Sequence, residues 1–150
     1  METTTLDRAM AKVAEAPQQH DVWRGQIKVG QHVRQGDVHL LRVAPNGETT
    51  VRDQRVPITL GKRLHTPGAD VQIALGEHAG ARHVVHAADG VSVYAAPIEH
   101  PLIGPVIVVG RGATALVSHP EHRHFDLPCG TYLAVYQRDF MAEEVSRLAD

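Results

Sequence analysis

The sequence is poor in cysteine, aromatic residues, net charge and long apolar runs, each of which marks a class of proteins. Its 150 residues include one cysteine, Cys129, which excludes an internal disulfide framework and a cysteine-rich zinc site. No apolar run approaches the roughly 20 residues of a membrane span, so we expect no membrane association. The formal net charge is −2 and aromatic residues make up only 4 % of the chain. Nucleic-acid binding is therefore not expected, because it depends on a basic face and on aromatic side chains that stack on bases.

The ends of the chain carry helical patterns rather than a targeting signal. The start, METTTLDRAM, has no basic stretch followed by an apolar one, so no secretory signal is predicted and we expect a cytoplasmic protein. Apolar residues at helical spacing predict an N-terminal helical segment over 1–16 and a short helix within 140–150. Residues 17–150 are predicted to form a single β domain, with that second helix at its end.

Short apolar runs separated by turn residues dominate the middle of the chain. They predict about eight or nine short strands, spaced as in a small β-sandwich or barrel. An Asn-Gly pair, Asn46 and Gly47, predicts a turn after the run 38–43. We expect one strand over 51–60, and a hairpin that joins the runs 82–86 and 91–94 across an Asp-Gly turn.

Histidine is the one residue type in marked excess, with 11 in the chain. Six of them form two groups: His78, His83 and His86, then His119, His122 and His124. On a strand over 122–127, alternation places His122, His124 and Asp126 on one face. The odd spacing of His83 and His86 places them on opposite faces of their strand, so they would not serve the same site.

These groups predict a metal site with imidazole and carboxylate ligands. The candidate donors are His83, His119 and His122, with Glu77 or Glu121 as the carboxylate. Such a donor set suits a divalent transition metal such as zinc, iron or nickel. Alternatively, the histidines are solvated or bonded to backbone carbonyls and hold no metal. The histidines outside the two groups are interpreted as surface residues: His20, His32, His39, His65 and His100.

Several short motifs resemble those of a family of small uncharacterised proteins from bacteria and phages. The segments are Gln35-Gly36-Asp37-Val38, Gly76-Glu77-His78-Ala79-Gly80-Ala81-Arg82-His83, His119-Pro120-Glu121-His122, Leu127-Pro128-Cys129-Gly130-Thr131-Tyr132 and Gln137-Arg138-Asp139-Phe140. The family patterns are GE-x-TGH-x-H and H-x-EH…LP-x-GTY…QREY. The resemblance directs attention to the same five donor residues and implies no activity. The chain departs from the pattern at Ala81, where a histidine is expected; either a ligand is lost there, or His78 replaces it.

A weaker resemblance is to the cupins, small β-barrels that hold one metal through histidines and a glutamate. The segment 127–132 is similar to a cupin strand turn, but the H-x-H pair of the first cupin motif is absent after Gly76. The resemblance implies a barrel architecture and leaves cupin chemistry unsupported.

Two functions follow from these patterns. The first is a small, soluble, histidine-rich β-module that acts as a homo-oligomer or binds a protein partner and holds a metal through its clustered histidines. The alternative is a cupin-like metalloenzyme that acts on a small molecule. Because constrained histidines must stay neutral, we also expect stability to fall as the pH drops below about 6.5.

Overall fold

The structure, a computed structural model, describes residues 21–75 and 82–137. All regular secondary structure in these two ranges is β, which confirms the prediction of a mainly β protein. The helices predicted over 1–16 and within 140–150 lie outside the described residues. Neither described range contains a helix long and apolar enough to cross a membrane. The strands are β1 (Val22–Arg24), β2 (His32–Gln35), β3 (Val38–Val43), β4 (Glu48–Val51), β5 (Gln54–Pro57), β6 (Asp70–Leu75), β7 (Arg82–His86), β8 (Val91–Tyr94), β9 (Ile103–Val109), β10 (Ala115–Ser118), β11 (His124–Leu127) and β12 (Gly130–Tyr136).

Ten of these strands form two five-stranded sheets. In sheet I the order is β1-β11-β10-β7-β6, and in sheet II it is β2-β3-β12-β9-β8. Strands β4 and β5 form a separate hairpin. All neighbours are antiparallel except β1 and β11, which run parallel. Neither strand order closes on itself, and each sheet has two edge strands within the described residues.

The main hydrophobic core draws on both sheets. Strand alternation places every second side chain of a strand on the same face. Sheet I contributes Val85, Val117 and Phe125 to this core, and sheet II contributes Leu40 and Tyr132, among others.

A second cluster covers the opposite face of sheet II. There Leu133 and Val135 of β12 pack with Val51 and Val56 of the β4–β5 hairpin. Sheet II is therefore covered on both faces, which explains the nearly continuous burial along β12.

The hairpin predicted across Asp89 and Gly90 is wrong. Gly90 does lie in a turn, with φ of 85°, but β7 belongs to sheet I and β8 to sheet II. The chain therefore passes from one sheet to the other at this turn. Turn residues mark where a chain reverses, whereas the choice of partner strand depends on which face each strand must bury.

The single strand predicted over 51–60 is also wrong. The chain reverses at Arg52 and Asp53, whose φ angles are 47° and 62°, so that Val51 pairs with Gln54 in a hairpin. Both central residues adopt positive φ, as in the type I′ turns that favour two-residue hairpins. Neither residue is a glycine, which is why the pattern of turn residues did not show the break.

Strand β1 forms one edge of sheet I. Its three residues pair with β11, and Trp23 stands opposite Phe125 in the register. The two rings also contact each other, with centroids 5.9 Å apart. Trp23 is partly buried against the main core through this contact.

Candidate functional site

One histidine of the first group meets two of the second, while His78 and Ala81 lie outside the described residues. His83 lies on β7, His119 follows β10 directly, and His122 lies in the loop before β11. The ring centroids of His83 and His119 are 4.4 Å apart, and those of His119 and His122 are 4.5 Å apart. The structure thus brings three of the five predicted metal ligands together, with His119 between the other two. We call these three residues the histidine cluster.

Strand alternation explains why two of these rings point inward. His83 shares the inner face of β7 with Val85, and His119 continues the inner face of β10 after Val117. His83 is only 1 % exposed and His119 only 4 %. His122 is exposed and lies before the strand. The strand predicted over 122–127 is shorter in the structure, since β11 begins at His124.

Gln35, which lies in one of the resembling segments but was not predicted as a site residue, holds the cluster in place. Its side chain is buried at the end of β2, in sheet II. The amide Nε2 donates to the carbonyl oxygens of Val117 at 3.1 Å and Arg123 at 2.9 Å. Because both partners can only accept, the amide orientation is set, and Oε1 must accept from Nδ1 of His83 at 2.9 Å. Gln35 therefore ties the edge of sheet II to sheet I and orients His83.

This hydrogen bond determines where neutral His83 carries its proton. With the proton on Nδ1, the other nitrogen, Nε2, presents a lone pair. That nitrogen faces Oδ1 of Asp37 at 3.2 Å, and a carboxylate oxygen is also an acceptor. Burial lowers the pKa of His83, and the neighbouring Asp37 charge opposes this effect only in part. When His83 is neutral, two acceptors therefore face each other at the rim of the cluster.

His119 carries its proton on the opposite nitrogen. Its Nδ1 accepts the backbone N–H of Glu121 at 3.0 Å, so in the neutral ring the proton is on Nε2. Burial, followed by the charges of His83 and His122, lowers its pKa to about 4. At neutral pH, His119 is a neutral hydrogen-bond donor held between the other two rings.

A glycine turn makes room for the third ring. Gly36 and Asp37 form the two-residue turn between β2 and β3, and Gly36 has φ of 61°. A Cβ atom built on Gly36 would lie 2.9 Å from both Cδ2 and Nε2 of His122, and 3.4 Å from Cε1 of His83. The turn that supplies Asp37 is thus packed directly against two rings of the cluster.

The predicted carboxylate ligands are not part of this arrangement. Glu77 lies outside the described residues. Glu121 is exposed and contributes its backbone N–H to His119, and its charge slightly offsets the lowering of the His119 pKa. Asp37 provides the carboxylate instead. Within residues 21–75 and 82–137, no three or more histidine, cysteine, aspartate or glutamate side chains are arranged so that they could hold a metal ion.

None of the four described histidines interpreted as surface residues is fully exposed, and His32 and His100 are half-buried. His39 is only 3 % exposed, which corrects that interpretation, and its Nε2 lies 2.9 Å from Oε1 of Gln137. His65 is half-buried and bonded at both ring nitrogens, to the backbone of Thr66 and of Val93. His20 lies outside the described residues. The residues next to His39 in the sequence do not indicate that its side chain is buried on β3.

Comparison with known proteins places the chain in a family. No curated protein and no solved structure matches it. The profile of a family described as Domain of unknown function (DUF8820) matches residues 34–137, the range that contains Gln35, Asp37 and the histidine cluster. This agrees with the predicted membership of an uncharacterised family, while the particular motifs and the cupin resemblance stay predictions. Since the match covers most of the 150 residues, the chain belongs to the DUF8820 family.

Proposed function

We propose that the chain is a binding module that holds one divalent transition-metal ion at the histidine cluster. The observation that carries this proposal is the pair of acceptors, His83 Nε2 and Asp37 Oδ1, at 3.2 Å. Two lone pairs at this distance repel each other unless a proton or a cation lies between them. Burial disfavours the proton on His83, because it lowers the pKa of that ring. A cation satisfies both atoms without charging the buried imidazole.

The geometry of this pair suits a transition-metal ion. With metal–ligand bonds of about 2.0–2.1 Å, two ligands of a tetrahedral ion lie roughly 3.3 Å apart. The hydrogen bond from Nδ1 of His83 to Gln35 is the outer contact that metal-binding histidines usually make, because it fixes the tautomer and the ring orientation. Imidazole and carboxylate together suit zinc, iron or nickel.

We assign the third ligand to His122 and a different role to His119. His122 is the exposed ring of the cluster, and its Nε2 lies beside the β2–β3 turn that carries Asp37, 2.9 Å from a Cβ atom built on Gly36. His119 has its proton on Nε2 and its Nδ1 engaged by the backbone, so it offers no lone pair to an ion. In this proposal His119 packs between the two ligand rings and supports their orientation. Water completes the coordination shell.

The module is proposed to work by assembly or partner binding rather than by catalysis at this site. In the described part of the chain, β1 and β6 end sheet I, and β2 and β8 end sheet II. Such edges bind extended segments of a partner or of a second copy by strand addition. The ion would stiffen the β2–β3 turn, and therefore the edge strand β2.

We also infer that the two sheets stack as the layers of a β-sandwich. Supporting this, the main core contains inward side chains of both sheets. Two side chains of sheet II also bond to backbone of sheet I: Gln35, described above, and Tyr136, whose hydroxyl donates to the carbonyl of Ile73 at 2.5 Å. Ile73 lies at an irregularity in the β6–β7 register, which frees its carbonyl for this bond.

Zinc titration of chelator-treated protein by calorimetry tests the proposed site. We expect one zinc per chain, and a loss of affinity of at least about 10- to 100-fold in Asp37→Asn and His122→Ala, because losing even a hydrogen-bond partner of a ligand costs that much. His100→Ala, a histidine outside the cluster, is the matched control and should bind as the unaltered chain does. Both site variants replace residues at the surface or rim, so they avoid the folding risk of a change at His83.

The outcome that contradicts the metal site is specific. The proposal is contradicted if zinc does not bind stoichiometrically. It is also contradicted if the His122→Ala and His100→Ala variants bind zinc with equal affinity. Nitrogen chemical shifts of His83 provide an independent check. A doubly protonated His83 at pH 7 that zinc leaves unchanged would show that a proton, not a metal, lies between His83 and Asp37.

Light scattering with and without zinc shows separately whether the module assembles.

A further inference from the structure

The outer face of sheet I carries a second constellation, which the histidine cluster does not use. His86 shares β7 with His83 but points to the opposite face, as its odd spacing predicts. Nδ1 of His86 lies 2.6 Å from Oδ1 of Asp70, and Nε2 lies 3.1 Å from Oγ of Ser118. Asp70, His86 and Ser118 therefore form a continuous hydrogen-bonded chain of acid, imidazole and hydroxyl.

The order of hydrogen bonds in this chain is that of a nucleophilic serine site. Asp70 accepts the Nδ1–H of neutral His86, which leaves a lone pair on Nε2. The hydroxyl of Ser118 then donates to that lone pair. Such a constellation is recognised by geometry and roles rather than by position in the sequence. Here its three members come from β6, β7 and β10, which are neighbours in sheet I.

The backbone register holds these residues in place. Asp70 stands directly opposite His86, and Ser118 stands opposite Val84, one diagonal step from His86. Side chains at such positions on one sheet face are close enough to interact. The serine is half-buried, and the His86 side chain is 38 % exposed. A small reagent in solution can therefore reach the hydroxyl.

We propose that Ser118 is a nucleophile for acyl transfer, with His86 as its general base and Asp70 as the residue that positions His86. The substrate class is small esters with good leaving groups. Asp70 is 63 % exposed, so solvent weakens its charge. The site therefore supplies alignment more than electrostatic stabilisation, and it suits acyl groups that are already activated.

The reaction balances without any further reactant than water. Ser118 Oγ attacks the ester carbonyl carbon while its proton passes to Nε2 of His86. The bond from carbon to the leaving oxygen then breaks, and that oxygen takes the proton from His86. Water attacks the acyl-serine in the same way, with His86 first accepting and then returning a proton. The products are the carboxylic acid, the alcohol and the free serine.

Covalent labelling of the full-length protein tests the proposal. A fluorophosphonate probe should add one phosphonyl group per chain, and peptide mapping should place it on Ser118. With p-nitrophenyl acetate, the transient acetyl group should map to the same residue. Covalent mapping is essential because imidazole itself hydrolyses activated esters, so turnover alone would not identify the residue that reacts. Labelling of the unaltered chain decides the question even if a variant fails to fold.

Variants separate the three roles. Ser118→Ala should abolish the label, whereas Ser92→Ala, a half-buried strand serine of sheet II, should leave it unchanged. His86→Gln should slow labelling by about 100-fold, the lower range for loss of a general base. Asp70→Asn should slow it less and should shift the proton of His86 away from Nδ1 in nitrogen spectra. Absence of label on Ser118, or equal labelling of Ser92, would overturn the proposal.

Discussion

Lowering the pH should destabilise the metal-free protein through His119. The folded state holds the pKa of this residue at about 4, compared with 6.5 in an unfolded chain. Between these two values the unfolded chain binds a proton that the folded protein does not. The free energy of unfolding must therefore fall as the pH drops through this window, and it is at its full value above about pH 6.5.

The size of the effect follows from the two pKa values. Integrating the proton linkage for one group between pH 7.5 and pH 5 gives a loss of about 2 kcal/mol in the free energy of unfolding. His119 is only 4 % exposed, so solvent does little to screen this contribution. For a domain of this size, 2 kcal/mol corresponds to roughly 4–8 °C in the melting temperature. The lowered pKa of His83 acts in the same direction.

Two asparagine variants isolate the contribution of His119. In His119→Asn the side-chain oxygen replaces Nδ1 as the acceptor for the N–H of Glu121, but the residue no longer titrates. His100→Asn is the matched control, because Nδ1 of His100 accepts the N–H of Leu102 in the same local geometry, at 3.1 Å, outside the cluster.

Urea unfolding at pH 7.5 and pH 5, with a chelator present and far-ultraviolet dichroism as the signal, gives the comparison. The unaltered chain and His100→Asn should lose stability alike, whereas His119→Asn should lose about 2 kcal/mol less. Equal losses in all three proteins would refute the reasoning, since they would show that the fold does not keep His119 neutral.

Two further predictions concern the supports of the cluster. Gly36→Ala should destabilise the protein by more than Gly68→Ala, because both glycines have positive φ but only at Gly36 does a Cβ atom meet a neighbour, His122. Thermal melts should show the difference, and adding His122→Ala should remove it. Gln35→Leu should lower the free energy of unfolding by about 2–4 kcal/mol, because it leaves buried partners of the amide unsatisfied. Gln72→Leu, on an exposed position of β6, is its control in urea unfolding and should change stability little.

Local patterns predicted the β class and several strands, but neither the number of strands nor all of their pairings. The described residues contain twelve strands, more than the eight or nine predicted. The run 38–43 is strand β3 as predicted, and Asn46 adopts the left-handed conformation expected of its turn, with φ of 58°. On β11, Phe125 and Leu127 are buried on the face opposite His124 and Asp126, which agrees with the alternation predicted for this segment. The wrong hairpin after β7 has a physical cause, since nothing local encodes which of two sheets a strand joins.

The candidate site shows the same division between local and distant information. Histidine excess and spacing drew attention to His83, His119 and His122. Gln35 and Asp37 were missed as site residues because their role depends on contacts more than 40 positions away along the chain. A glutamine at a strand end and an aspartate in a turn each have ordinary local explanations. Only the folded chain shows that they determine the tautomer and the partner of a buried imidazole.

The place of the only tryptophan affects how unfolding of this protein can be followed. Trp23 lies on β1, a strand of three residues at the edge of sheet I within the described residues. Its ring contacts that of Phe125 on β11. So short an edge detaches at a lower free energy than the sheet behind it. Intrinsic fluorescence therefore reports the docking of β1, whereas dichroism reports the sheets. We expect the fluorescence midpoint in urea to come first, and stabilities calculated from emission alone to understate that of the core.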